Sequence, residues 1–304
     1  MELLFAYIKS HEYGNGHFSR IINLKKKIPF KKKIKILNIA KKKDRISFLK
    51  ISKSKKIKIL LDISNKKFLK TYKNYLKKIQ SNLIESENDL IIIDDVGSNS
   101  ILHSLNKCNI KFYINPYINS LNKKKLIKNS FLGENYLIGL NQYPLFYQRK
   151  KKTKNILVFL TASKNVINFK LANYIKREYN FFSKFNISFI SADYLDLKKK
   201  IDLKFLKFYD ILKVTKMIKF LKKNDLVISG QGNFKYEIMS TQQPLIIITE
   251  KKFYLLIKKR LSKINVINIE NLKKLKNFIL NSTNRYKRSS KKKVGNQFLK
   301  RIFP

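Results

Sequence analysis

The sequence has no tryptophan, one cysteine, five prolines and eight glycines in 304 residues, and only 19 acidic side chains against 68 lysines and arginines. Each shortage excludes something. A single cysteine, Cys108, rules out an internal disulfide and suits a reducing compartment. Its plainest role is that of a small buried apolar side chain rather than a nucleophile. No stretch of about 18 consecutive apolar residues occurs, so nothing reads as a membrane-spanning helix. The N-terminus lacks a basic segment followed by an apolar signal region, and the chain is expected to be cytoplasmic. Scarce proline and glycine leave long uninterrupted segments for regular structure, and the length is enough for two domains of about 150 residues each.

Arginine is as scarce as glycine, with 8 against 60 lysines, and this tempers the formal charge of +49. Such a charge ordinarily points to nucleic acid or an anionic membrane. A nucleic-acid interface would be expected to retain arginine, whose planar fork binds phosphates and base edges bidentately. Here the basic residues are lysines spread along the whole chain, from Lys25–Lys27 to Lys291–Lys293, beside abundant Ile, Asn, Phe and Tyr. That pattern fits the codon bias of an AT-rich genome and a solvated lysine surface. Nucleic acid is therefore not the expected partner, and membrane contact is at most peripheral.

Short β-rich runs alternate with helical periodicity, which argues for parallel α/β layers. In the first half, strands are expected at 3–8, 34–39, 57–63, 90–94 and 110–114, with helices near 18–27, 43–50, 66–84 and 98–107. Lys150-Lys151-Lys152-Thr153-Lys154 then forms a polar break. The same grammar restarts, with strands at 156–160, 187–191, 226–229 and 245–248 and helices near 165–184, 214–223, 234–242 and 268–281. The expected fold is two doubly wound, Rossmann-like domains, 1–150 and 151–304, facing a cleft, with a basic tail from about Arg285.

Four of the eight glycines sit at two strand-to-helix junctions: Gly14 and Gly16 after the first strand, and Gly230 and Gly232, followed by Asn233, after Leu226-Val227-Ile228. A glycine turn there lets backbone N–H groups approach a phosphate, and the helix dipole adds to the attraction. His17, one of three histidines, stands at the mouth of the first turn, where an imidazole can take a proton from an attacking hydroxyl or water. Arg20 shares its helical face and is placed to clamp a phosphate or hold a carboxylate across the domain interface. Glu237, in the helix after the second turn, is placed to accept the two hydroxyls of a ribose. Asp94 and Asp95 end an apolar strand at the carboxyl edge where open α/β sheets bind ligands. With no His or Cys beside them, cleft lining is expected there rather than a metal site, and no metal or cofactor is expected elsewhere.

Taken together, Gly14-x-Gly16-His17-x-x-Arg20 and Ile228-Ser229-Gly230-Gln231-Gly232…Glu237…Pro244 resemble the GT-B-fold nucleotide-sugar enzymes of the family 28 glycosyltransferase-like group. Ile93-Asp94-Asp95-Val96-Gly97, Leu132-Gly133-x-x-Tyr136 and the strand from Asn155 add to the likeness, which is colinear over about residues 1–250 and is nearest to the UDP-sugar hydrolases of pseudaminic acid biosynthesis and their spore-coat polysaccharide-type relatives. The resemblance implies a nucleotide-sugar substrate, UDP-linked and bearing an amino sugar, in surface-glycan synthesis. It gives Gly230, Gly232, Asn233 and Glu237 to the nucleotide and His17 to attack at the anomeric carbon. A glycan or lipid hydroxyl as acceptor makes a glycosyltransferase; water makes a hydrolase. The sequence departs from the pattern at Leu160-Thr161-Ala162-Ser163-Lys164, where the family has a glycine-rich segment, at Val96 in place of tyrosine, and at Gln231 and Gln242 in place of glycine. Transfer is the expected reaction, because the hydrolase-specific tyrosine is missing. The alternative class is a non-catalytic nucleotide-sugar or nucleic-acid binding protein on the same fold.

Overall fold

In the computed structural model the strands with the longest apolar runs lie innermost in two sheets. Residues 3–10, 12–13, 16–28, 33–54, 56–94, 100–116, 129–132, 153–161, 165–211, 214–282 and 302–303 are described. The chain divides into two compact units, one of Met1–Gly139 with Lys293–Pro304 and the other of Leu140–Lys292.

The first unit runs β1 (Leu3–Tyr7), α1 (Gly16–Lys27), β2 (Ile34–Asn38), α2 (Lys42–Ser52), β3 (Lys58–Asp62), α3 (Lys66–Thr71), α4 (Lys73–Ser86), β4 (Asp89–Ile93), β5 (Ile110–Asn115) and β6 (Ser130–Leu132). All six strands are parallel, in the order β2-β1-β3-β4-β5-β6. β1 and β3 are buried along their whole length, as expected of strands covered on both faces. Alternation along β1 sends Leu4 and Ala6 into one core and Leu3, Phe5 and Tyr7 into the other. The second core is completed from the far end of the chain: Ile302 and Phe303 are buried in it, and the Lys58 Nζ donates to the Ile302 carbonyl at 3.0 Å. The second unit thus closes at Lys292, and the end of the basic tail belongs to the first unit because its two apolar residues are buried there.

The second unit runs β7 (Asn155–Phe159), α5 (Val166–Arg177), α6 (Tyr179–Phe182), β8 (Asn186–Ile190), α7 (Tyr194–Lys200), β9 (Leu206–Tyr209), α8 (Val214–Lys223), β10 (Leu226–Ser229), α9 (Phe234–Thr241), β11 (Leu245–Thr249), α10 (Lys251–Arg260), β12 (Asn265–Asn268) and α11 (Leu275–Leu280). Its strands are also all parallel, in the order β12-β11-β10-β7-β8-β9.

The sheet order reverses at one place in each unit. From β1 the chain steps out to β2 and returns on the other side of β1 as β3. From β7 it steps out through β8 to β9 and returns as β10. The carboxyl ends of β1 and β3, and those of β7 and β10, are therefore the switch points at which open α/β sheets bind ligands.

Three strands escape the sequence pattern, β6, β9 and β12, and all three are sheet edges. Of the helix expected near 98–107, the described residues 100–107 form only a single 3₁₀ turn, at Leu102–Ser104. The segment 268–281 begins as the end of β12, passes through a 3₁₀ turn at Leu272–Lys274 and becomes helical only at Leu275.

Candidate functional site

The switch point of the first sheet is occupied by a buried cluster of three charged or polar side chains. On α1 the inward stripe is His17, Arg20, Ile21 and Leu24, an i, i+3, i+4, i+7 spacing. The helix carries Ile21 and Leu24 onto the sheet, and the same rotation puts His17 and Arg20 over the end of β3. There Asp62, paired across the ladder with Tyr7, has no exposed surface. Its Oδ1 lies 2.6 Å from His17 Nδ1 and 2.8 Å from Arg20 Nη2, and its Oδ2 accepts from Arg20 Nε at 2.8 Å. Burial alone raises the carboxyl's pKa, but the Arg20 charge, His17 and their hydrogen bonds outweigh it and hold Asp62 at about 2. The carboxylate that Arg20 holds is therefore one of its own unit.

Asp62 escapes sequence reasoning, although it closes an apolar strand, Ile59-Leu60-Leu61, as Asp94 does. Nothing local marks its partners, which lie 42 and 45 residues away. Asp94, expected to line a cleft, is instead 1 % exposed and saturated from within. Ser64 Oγ and the Ile101 N–H donate to its Oδ1, and Ser100 Oγ and Tyr113 Oη (2.9 Å) to its Oδ2. Burial and the Asp94 charge push the Tyr113 phenol up, so it stays a donor. Asp94 thus ties the ends of β3, β4 and β5 together. Asp95, Gly14, Val96, Gly97, Gly133, Tyr136 and the segment 162–164 lie outside the described residues. Among the described residues no group of three or more His, Cys, Asp or Glu converges as a metal site would require.

At the second switch point the two glycines have different reasons to be glycine. A Cβ on Gly230 would come 1.9 Å from the Leu160 carbonyl oxygen, so the close approach of the chain leaving β10 to the end of β7 excludes any side chain. Gly232 and Gly16 meet nothing within 4 Å among the described residues, and neither has a positive φ. Among the described residues no contact and no positive φ requires glycine at either position.

The turn after β10 is braced from behind. Lys235, 4 % exposed, donates from Nζ to the Gln231 carbonyl at 2.6 Å and the Gly232 carbonyl at 2.9 Å. In a planar trans peptide the C=O and N–H point oppositely, so these bonds aim the N–H groups of Gly232 and Asn233 away from Lys235. Two neighbouring amides turned this way at the start of a helix are groups that can donate to an anion. Gln231, where the family pattern has glycine, locks the turn to the end of β11. Its Oε1 accepts from Thr249 Oγ1 at 2.9 Å and its Nε2 donates to Glu250 Oε1 at 3.3 Å. Asn233 precedes α9 in helical conformation without capping it, and its Oδ1 is buried with no hydrogen-bond partner. Glu237 lies half-buried in the first turn of α9.

Two six-stranded, doubly wound parallel sheets, each with polar side chains or outward amides at its switch point, define a GT-B-like α/β protein. Solved structures carry the same fold. UDP-GlcNAc 2-epimerase from Methanocaldococcus jannaschii, in complex with UDP-GlcNAc and UDP, matches with a TM-score of 0.62 at 12% identity over 99% of both chains. MnaA of S. aureus, in a co-structure with UDP, gives 0.55 at 10% identity over 93% of this chain and 91% of that one. MurG of Acinetobacter baumannii gives 0.53 at 9% identity over 99% of both. No family model matches the sequence, and no curated protein matches it. No helix among the described residues is long and apolar enough to cross a membrane.

Proposed function

We propose that this protein is an enzyme acting on a UDP-linked sugar, and that it transfers the glycosyl group to a hydroxyl acceptor, a glycan or lipid. The observation that carries the reading is His17, a histidine held by a buried carboxylate at the switch point of the first sheet. The fold is one in which neighbouring structures bind UDP and UDP-GlcNAc. In this reading the Gly232 and Asn233 amides hold the diphosphate, and Glu237 accepts the ribose hydroxyls. Gly16 leaves room at the start of α1. His17 takes the proton of the acceptor hydroxyl as its oxygen attacks the anomeric carbon; the bond from that carbon to the diphosphate oxygen breaks, and UDP leaves. The outward amides stabilise the charge that develops on the leaving phosphate.

Incubation with a panel of UDP-sugars, with and without glycan and lipid acceptors, tests this by NMR of the sugar and UDP signals. Acceptor-dependent UDP release is expected, abolished by His17→Ala. Release into water alone would make the enzyme a hydrolase; conversion of one UDP-sugar to another without net UDP release would make it an epimerase. Binding without turnover would leave a nucleotide-sugar binding protein. Glu237→Ala is expected to raise the Kd for UDP at least tenfold, or about 1.4 kcal/mol by titration calorimetry; equal affinity would remove Glu237 from the ribose.

A further inference from the structure

The reading of Arg20 from sequence leaves it a choice between phosphate and carboxylate, and the contacts at the end of β3 decide it. We propose that Asp62 and Arg20 are positioning residues for His17: Arg20 fixes the Asp62 carboxylate, and Asp62 fixes the imidazole as the Nδ1–H tautomer with Nε2 bare. An ionised carboxylate only accepts hydrogen bonds. A 2.6 Å separation between Asp62 Oδ1 and His17 Nδ1 therefore requires the proton on Nδ1, since two bare acceptors at that distance would repel. Arg20 Nη2 stands 3.1 Å from the same Nδ1, a contact that would suit the opposite tautomer. It follows instead from geometry, because Nη2 and Nδ1 converge on one oxygen, Oδ1, at 2.8 and 2.6 Å. Among the described residues nothing bonds to Nε2, so the bare nitrogen remains for a substrate proton.

Arg20 supplies what the carboxylate lacks. Asp62 has no exposed surface, and an unpaired ion there costs several kcal/mol. The guanidinium covers both oxygens through Nε and Nη2, a side-on fork that lysine cannot reproduce. With Arg20 in place the cluster is electrically balanced while the imidazole is neutral, the form that has a lone pair to offer. The Nε–Nη2 edge of Arg20 is spent on Asp62, and the residue is 6 % exposed.

This rests on His17 as the proton acceptor, but its test reads the nitrogen itself. Long-range ¹H–¹⁵N NMR on protein labelled at histidine has three rings to resolve, His11, His17 and His103, assigned from His11→Gln and His103→Gln spectra. At pH 8 we expect His17 to show a protonated Nδ1 and a bare Nε2. In Asp62→Asn, where no ionised acceptor faces Nδ1, the proton is expected to shift toward Nε2. Arg20→Lys is expected to change the Kd for UDP less than twofold. A wild-type His17 protonated on Nε2 overturns the proposal, and so does a tenfold loss of UDP affinity in Arg20→Lys with the His17 tautomer unchanged. Should Asp62→Asn fail to fold, the wild-type spectrum still decides. Should the wild-type protein bind no UDP, the nucleotide-sugar reading fails while the tautomer result stands by itself.

Discussion

Asp62 is ionised inside the first unit because two partners converge on it, and that dependence makes it acid-sensitive. Its folded pKa of about 2 lies below the ordinary 3.8, so the ionised form is the one that folding favours. The contribution is full above about pH 4 and is lost as the pH falls toward 2, a change of about 2 kcal/mol. Urea unfolding of wild type and Asp62→Asn between pH 4 and pH 2 should show their stability difference narrowing by that amount; a constant difference would place the native ion pair in doubt. At this scale two of the three members of the buried cluster are legible in the sequence: His17 as one of three histidines beside paired glycines, and Arg20 as one of eight arginines. Asp62 is not, because an aspartate ending a strand is common, and only the packing of α1 across β1 and β3 gives it a partner.

At the scale of elements, the strands most plainly legible in the sequence are those buried on both faces, such as Leu3–Tyr7 and Leu245–Thr249, whose apolar runs are continuous; of the four sheet edges only β2 is legible too. The missed strands β6, β9 and β12 are short edges with one flank unpaired, where polar residues are tolerated and the pattern fades. Gln242 shows a turn outlasting its usual residue: it ends α9 at φ 62°, a left-handed conformation that glycine adopts freely and glutamine adopts at a cost of about 1 kcal/mol. The two glycines after β10 yield opposite predictions. Gly230→Ala forces a methyl onto the Leu160 carbonyl and should cost about 3 kcal/mol, with melting lowered and expression poor. Gly232→Ala has space for its methyl, so its Tm should match wild type while its UDP affinity falls about tenfold, or 1.4 kcal/mol. Equal UDP affinity in a well-folded Gly232→Ala protein would take the turn out of the binding site.

At the scale of the molecule, each unit is built around its own sheet and its own pair of cores, and the first of them is not continuous in sequence. Ile302 and Phe303 return to pack beside Leu3, Phe5 and Leu60, and burying two such side chains contributes about 4 kcal/mol. A chain ending at Arg301 should therefore lose about that much stability in the first unit alone, read as faster hydrogen exchange in β1 and β3 with β7 and β10 unchanged. Equal exchange in both proteins would mean that the tail contributes little. The charge of +49 adds nothing to this architecture; most of it is lysine spread along the whole chain, and it governs solubility and loose attraction to anions rather than fold.

The sequence by itself determined the inner strands of both sheets, most of the helices between them though not α7 or α10, and the glycine turn after β10, because these depend on apolar period and on residues close together in the chain. Tertiary structure alone decided which of the flagged residues meet. It placed Asp94 in an internal hydrogen-bond network, gave Gly230 to packing and left Gly232 to face outward, because burial and hydrogen bonding are set by neighbours distant in sequence. It also brought Asp62 to His17 and Arg20 across 45 and 42 residues, since the order of strands in a parallel sheet, and so the place where it reverses, is fixed by packing and not by any local pattern.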